Sequence, residues 1–178
     1  SLETLQTIRT FPLNLEAEEW GIALLNVQAN LPGLLPGQNA VFMLMGDAEV
    51  ETAMNEDGLP VSDRPMQAFY FRTGIGEPSC NESPDVLVVQ GPQSVSVDIT
   101  ANGADIRIGS TIALRTPDGS QMQIMTISGE ATVGGITIPR GYMLTVPLDE
   151  NGQIINNFDE TDLTPIPQEL LDDLQWLE

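Results

Sequence analysis

Residues 94–108, SVSVDITANGADIRI, decide the fold class of this chain. Apolar and polar side chains alternate from Val95 to Ile99 and again from Ile106 to Ile108, with the two-residue period of a half-buried β-strand. Asn102-Gly103 lies between the two stretches, and this dipeptide accepts the positive φ angles of a tight hairpin turn. The segment therefore predicts two antiparallel strands joined by a short turn.

Short strands and turns continue on both sides of this hairpin. Asp118-Gly119, Gly134-Gly135 and Asn151-Gly152 are further turn signals. Turns that recur about every 8 to 12 residues are typical of a sandwich or barrel. The strands expected from residue 85 onward are 85–90, 94–100, 104–108, 111–116, 121–128, 130–133, 136–139 and 142–146.

The first half of the chain also reads as strands. Apolar runs predict them at 21–30, 39–45, 48–53 and 66–73. In the last of these, MQAFYFRT, Phe69 and Phe71 share one face and Tyr70 and Arg72 the other, so we expect the phenylalanines in the core. The fold class is therefore all-β, a sandwich or barrel-like antiparallel structure.

The two ends differ from the middle of the chain. Residues 1–20 are expected to form an N-terminal arm, in which 2–11 fit a helix or a strand equally well. Residues 21–152 form the β domain, and a division into 21–84 and 85–152 is left open. Residues 153–178 are expected to be an acidic linker and a short amphipathic helix at 168–177, QELLDDLQWL, that packs on the β structure.

The charge of the chain limits its partners. It has 26 acidic residues, six Arg, no Lys and no His, which gives a net charge of −20. Nucleic-acid binding needs a basic face, and an anionic membrane surface attracts basic segments, so both partners are disfavoured. No run approaches the roughly 20 apolar residues of a membrane helix, so no membrane insertion is expected in this segment. We expect a protein partner or self-association.

The residue types also limit the chemistry. A chain without His cannot build a Ser-His-Asp or Cys-His pair, and one without Lys has no Schiff base or Walker lysine. The single cysteine, Cys80, excludes an internal disulfide and a Cys-clustered zinc site, and we expect it to be buried and inert. We therefore expect no catalytic residues, no cofactor and no enzymatic activity.

Residues 110–146 resemble the FecR-type domain, a small β structure of bacterial periplasmic and surface proteins. The resemblance lies in the phrase Ser128-Gly129-Glu130-Ala131-Thr132-Val133, in the hairpin that follows, and in Pro139-Arg140-Gly141 before a final strand. Further phrases, GIALLNVQANLPG at 21–33, FMLMGDAEVETA at 42–53 and MQAFYFRTGIGEPSC at 66–80, together with NGADIRIGSTI at 102–112 and TVPLDENG at 145–152, resemble an uncharacterised family of secreted proteins from Chloroflexota-like bacteria, and this resemblance covers most of 20–152. These resemblances imply an extracellular or cell-surface location and a β fold, and they carry over no site residue.

Acidic side chains are the remaining candidates for a site. Asp47 with Glu49, or Glu49 with Glu51, project from one face of a strand, as a hydrolase carboxylate pair would, although a solvated strand face gives the same pattern. Calcium is the more credible ligand because it takes several carboxylate and carbonyl oxygens. The weak metal candidates lie in three acidic turns: Asp57, Asp63, Asp149, Asp159 and Asp162.

Three functions fit these observations. The favoured one is a non-enzymatic extracellular or cell-surface structural or interaction module. It would self-assemble through strand addition, with residues 2–11 pairing to a sheet edge of their own chain or of a neighbour. The alternative is a calcium- or ligand-binding sensor or adhesin domain, and a carboxylate hydrolase is the third.

Overall fold

We describe a computed structural model of the chain, in which residues 6–12, 14, 16–17, 21–27, 38–63, 66–74 and 85–174 are described. Within these ranges the chain forms 14 strands and one α-helix, α1, at Gln168–Leu174. The strands are β1 Thr7–Arg9, β2 Ile22–Val27, β3 Ala40–Met45, β4 Ala48–Thr52, β5 Ala68–Thr73, β6 Val86–Gln90, β7 Val97–Ala101, β8 Ala104–Ile108, β9 Thr111–Arg115, β10 Gln121–Ser128, β11 Glu130–Val133, β12 Ile136–Pro139, β13 Tyr142–Pro147 and β14 Leu163–Pro165.

The strands form two seven-stranded sheets. The first sheet has the order β1-β4-β5-β7-β8-β11-β12, and the second has the order β14-β13-β10-β9-β6-β3-β2. All pairings are antiparallel except that of β5 with β7, where Ala68 lies opposite Thr100. The all-β prediction is confirmed, and of its two forms the structure is the sandwich, because both sheets stay open.

The chain builds the two sheets in turn, mostly one hairpin at a time. β2–β3, β9–β10 and β13–β14 belong to the second sheet, whereas β4–β5, β7–β8 and β11–β12 belong to the first. Gly129 lies where the chain leaves β10 for β11, at a φ of +70° that favours glycine. A Cβ there would lie 2.6 Å from the Cβ of Ser110. The chain can therefore cross between the sheets at this point only with a residue that has no side chain.

The core lies between the sheets and is filled by the inward residues of both. Phe69 and Phe71 of the first sheet and Phe42 and Leu44 of the second are at most 1% exposed. The rings of Phe42 and Phe69 meet edge to face, with centroids 6.0 Å apart. The prediction that Phe69 and Phe71 share an inward face, opposite Tyr70 and Arg72, is confirmed.

The predicted strands recur with ends that differ by a few residues. Asn102, Gly119, Gly134 and Gly152 have positive φ angles, as the turn residues predict. One strand was not predicted: β14, which pairs with β13 and places Leu163 opposite Leu144. Its sequence, LTP, has no alternation to reveal it. Positions 28–30 of the first predicted strand and 175–177 of the predicted helix lie outside the described residues.

The segments assigned to the two ends contact the β domain. In the arm, β1 pairs with β4 of its own chain, with Ile8 opposite Val50. Both 21–84 and 85–152 contribute strands to each sheet. Helix α1 packs on the outer face of the second sheet, where Leu174 is 2% exposed. No helix that the structure describes has the length and apolar character needed to cross a membrane.

Candidate functional site

Two open sheets have four edge strands, and three of these edges are protected. β1 is three residues long and carries Arg9, and β14 is three residues long and ends in Pro165. β12 has four residues and ends in Pro139, which has no N–H to donate. Short strands, charges and prolines are features by which proteins prevent edge-to-edge pairing.

The fourth edge, β2, has none of these features. Its six residues, IALLNV, include no charge and no proline. One side of β2 pairs with β3 along its whole length, from Ile22 opposite Met45 to Val27 opposite Ala40. Among the described residues no strand pairs with the other side. Within the described part of the chain, the N–H and C=O groups on that side have no strand partner, and a further strand can bind to such groups.

The side chains of β2 make this edge apolar on both faces. Leu25 packs against the core between the sheets and Val27 is buried in it. Ile22 and Leu24 point to the outer face, where they are 45% and 57% exposed. Gly21, just before β2, lies so close to Phe11 that a Cβ would be 2.3 Å from its backbone. We call the side of β2 that faces away from β3, together with Ile22 and Leu24, the β2 edge.

The outward side chains of β2 continue an apolar outer face of the second sheet. We call this outer face the covered face, because residues 166–174 pack on part of it. The strand registers connect one row of outward residues across six strands: Leu24, Met43, Val88, Ala113, Met125 and Met143. Ile166 and Leu174 are buried against this face, and Leu170 and Leu171 pack beside them. α1 therefore covers the middle of the row, whereas the β2 end is exposed.

The outer face of the first sheet is polar instead. Arg72 on β5 contacts Glu49 on β4 at 2.6 Å and Glu51 at 3.6 Å. Arg107 on β8 donates two hydrogen bonds to the carboxylate of Asp98 on β7, at 2.8 and 3.1 Å. This hydrogen bonding and the charge of Asp98 raise the pKa of Arg107 further. The face is therefore a set of cross-strand ion pairs exposed to water.

The predicted carboxylate pairs are held by arginines. Glu49 and Glu51 lie on one face, as expected, and both contact the same guanidinium, that of Arg72. Asp47 is 3% exposed, and its Oδ1 lies 3.7 Å from Arg9. Each pair therefore has a cation beside it, which is the arrangement of a structural ion pair.

Asp85, Arg115 and Asp173 form a second charged group with Asp47 at one end of the covered face, and the sequence did not predict it. The backbone N–H of Asp47 donates to Asp85 Oδ1 at 2.7 Å. Burial raises the pKa of Asp85 above its usual value, although this hydrogen bond acts to lower it; the charge of Asp47 adds to the rise and that of Arg115 opposes it. Burial also lowers the pKa of Arg115, which Asp85 and Asp173 of α1 partly offset. These residues are distant in sequence, so no local pattern connects them.

The weak metal candidates stabilise turns or lie exposed on the surface. Asp149 Oδ1 accepts from the N–H groups of Asn151 and Gln153, at 2.8 and 2.9 Å. Asp159 and Asp162 form the capping box of a single 3₁₀ turn. Hydrogen bonds from the side chain and backbone of Thr161 lower the pKa of Asp159.

Asp57 and Asp63 are exposed in the loop between β4 and β5. Across the described part of the chain, no three His, Cys, Asp or Glu residues come together as a metal site would require. Calcium binding stays a prediction.

An open cleft of about 680 Å³ lies between the end of β5 and the turns at 118–119 and 149–152. Buried Asn102 lines it, and its amide donates to the carbonyls of Phe71 and Gly152, at 3.0 and 2.7 Å. Its Oδ1 accepts from the N–H of Phe71 at 2.9 Å. The Asn102-Gly103 dipeptide predicted the turn but not this role, which ties β5 to the 149–152 turn.

Two further predictions can be placed. The aromatic strand lies in the core at Phe69 and Phe71, and the hydroxyl of Tyr70 accepts a hydrogen bond from Gln153 at 2.9 Å. Cys80 lies outside the described residues, so its predicted burial stays a prediction.

No model of a known protein family, no curated protein and no solved structure matches this chain.

Proposed function

We propose that this chain is a non-enzymatic structural or interaction module of the bacterial cell surface or extracellular space, and that it binds a protein by strand addition at the β2 edge. The observation that carries the proposal is the contrast among the four edges of the sandwich. Three edges are short, charged or end in proline, and β2 is six residues long and uncharged. An added strand would gain main-chain hydrogen bonds there and contact Ile22 and Leu24.

A binding role is also supported by the chemistry that the chain does not carry. It contains no His and no Lys, and only one Cys. Glu49 and Glu51, the adjacent carboxylates of β4, contact Arg72. The turn carboxylates of Asp149 and Asp159 accept hydrogen bonds from their own turns. These groups make contacts within the fold, and the proposed recognition uses shape, main-chain hydrogen bonding and apolar contact instead.

The proposed location rests on the resemblance to FecR-type domains and agrees with the charge. A net charge of −20 keeps a protein dispersed in solution by mutual repulsion. The region of resemblance contributes β9, β10 and β13 to one sheet and β11 and β12 to the other. It is therefore part of the shared sandwich and not a separate appendage.

Strand addition can be tested with an extended peptide. The probe is a fluorescent peptide of residues 21–28, GIALLNVQ, titrated with dilute protein and followed by anisotropy. We expect it to bind the wild type, and we expect Leu24→Lys to weaken binding. The control is Leu59→Lys, since Leu59 is 60% exposed and Leu24 is 57% exposed. This control should bind like the wild type.

A second peptide separates strand addition from unspecific apolar contact. Its sequence is the same, but alternate backbone amides are N-methylated so that one edge of the peptide cannot pair. Two versions, methylated on alternate sets of residues, cover both edges. We expect at least one of them to lose binding. Equal affinity of all three peptides, or of wild type and Leu24→Lys, would overturn the proposal.

A further inference from the structure

Resting on the proposed function, we infer that the strand added at the β2 edge is β2 of a second copy of this chain. The two strands would pair antiparallel about a two-fold axis and join the two second sheets into one continuous sheet of 14 strands.

The geometry of β2 allows it to pair with itself. An antiparallel edge is self-complementary, because a two-fold rotation brings its donors opposite its own acceptors. Directly opposed residues point to the same face of a sheet. Leu24 can therefore lie opposite Leu24 of the second copy, with Ile22 opposite Asn26 on each side. This register uses five of the six residues of β2.

The outer face gives a reason for this register. In each copy the row from Leu24 through Met43 to Val88 is apolar and ends at the edge. Pairing about Leu24 would join the two rows end to end and remove Leu24, which is 57% exposed, from water. The self-complementary contact thus completes the apolar face that α1 covers only in part.

The charge distribution permits a second copy at this strand. Two chains of charge −20 repel each other, and the repulsion is strongest where carboxylates would be brought together. β2 carries no charge, whereas the outer face of the first sheet carries Glu49, Glu51 and Asp98. Salt screens the remaining repulsion, so self-association should strengthen with ionic strength. A basic partner would show the opposite dependence.

The N-terminal arm does not supply the added strand at its described residues. Thr7–Arg9 of the arm pairs with β4 of its own chain, with Arg9 opposite Glu49. This pairing protects the edge of the first sheet and leaves β2 as the long uncharged edge. Strand exchange through the arm would have to break these contacts first, whereas pairing at the β2 edge breaks no strand pairing among the described residues.

Sedimentation equilibrium of the full chain tests the inference. We expect a monomer–dimer equilibrium for the wild type and for Leu59→Lys, shifted toward dimer by added salt. Leu24→Lys should weaken dimerisation about tenfold or more, because like charges then lie opposite each other across the axis. Since Lys lowers the net negative charge, general charge repulsion alone predicts stronger association, so the two explanations give opposite results.

Cross-linking tests the register. Opposed residues of an antiparallel pair have Cα atoms about 4.5 to 5.5 Å apart, within the roughly 4.4 to 6.8 Å that a disulfide spans. With Cys80→Ser as background, Leu24→Cys should give a disulfide-linked dimer on mild oxidation. The matched control is Thr137→Cys, an exposed residue of the β12 edge, and it should give no disulfide-linked dimer.

A wild type that stays monomeric at the highest attainable concentration and in high salt would overturn the inference. So would a dimer that Leu24→Lys leaves intact, or Thr137→Cys cross-linking as readily as Leu24→Cys. A monomer that still binds the 21–28 peptide would overturn the second copy alone and leave strand addition standing. A monomer that binds no peptide would overturn both.

Discussion

The outer faces of the two sheets differ in how they meet water: one is polar and exposed, and the other is apolar and partly buried. On the first sheet, Arg72 and Arg107 form ion pairs with carboxylates of neighbouring strands, and the face stays in water. On the second sheet the face includes Met45 and Met125, both at most 2% exposed, and the chain returns to cover it with Ile166 and α1. The first face is stable in contact with water, whereas the second is removed from water only where the chain packs on it.

The difference indicates where an external partner is useful. α1 has seven residues, and its apolar side chains reach the middle of the second sheet. Ile22 and Leu24 lie beyond the described part of this cover and are exposed. Because an apolar face gains by leaving water while an ion-paired face gains little, we expect the proposed association at β2 and not on the first sheet.

The largest expected effect comes from a cavity in the covered face. Met125 is fully buried beneath it, so Met125→Ala should lower the free energy of unfolding by about 2 to 4 kcal/mol. Thr132 lies on the outer face of the first sheet, opposite Arg107, and Thr132→Ala should change stability by less than about 0.5 kcal/mol. Urea unfolding of both variants measures the contrast. Equal losses would contradict the distinction between the faces.

A smaller effect is expected when the cover itself is weakened. Leu174 is the buried residue of α1, and Leu174→Ala should cost about 1 to 3 kcal/mol, because the helix can detach without leaving an enclosed cavity. Detachment should also raise the fluorescence of a dye that binds apolar surface. Glu169→Ala, at an exposed position of the same helix, is the matched control. Dye binding that is identical in both variants would show that α1 does not protect the face.

A pH effect is expected where Asp85 borders the covered face. Its pKa is raised in the folded state by burial, so its contribution to stability is full below its unfolded pKa and is lost as pH rises through the folded value. Asp85→Asn removes this titration while its Oδ1 still accepts from Asp47. Lowering the pH from 7 to 4.5 should therefore stabilise the wild type relative to Asp85→Asn. A stability difference that is independent of pH would contradict the raised pKa.

The smallest effect is expected on the ion-paired face. Arg107 and Asp98 have side chains that are 65% and 53% exposed, and exposed pairs contribute little because water and salt screen them. Arg107→Gln should leave the urea midpoint close to that of the wild type at low and at high salt. A loss as large as that of Met125→Ala would show that this pair holds the first sheet together.

The strands and turns could be predicted because their signals are local. Alternation marks Val97 and Ile99 as inward residues, and Asn102-Gly103 fits its turn. The pairing order of the strands could not be predicted, since it depends on contacts between residues far apart in sequence. β14 was missed for a related reason, because three residues ending in Pro165 form a strand only beside β13.

The candidate site depends on the order and register of the strands, which the sequence does not show. The composition of β2 was visible, and 21–30 was predicted as a strand, but its place at an edge follows from sheet order alone. The acidic candidates were visible as well, but Arg72 lies beside Glu49 only because of the β4–β5 register. Local patterns identify residues that can pair, and the topology decides which of them remain unpaired.

Amide hydrogen exchange, measured residue by residue at low and at high protein concentration, tests the central claim most directly. We expect backbone N–H groups of Ile22–Val27 that exchange quickly in dilute solution to become protected as the protein concentration rises. Protection in the other edge strands, Thr7–Arg9, Ile136–Pro139 and Leu163–Pro165, should not change. Protection that appears in one of those edges, with β2 unchanged, would contradict the assignment of the β2 edge as the contact surface.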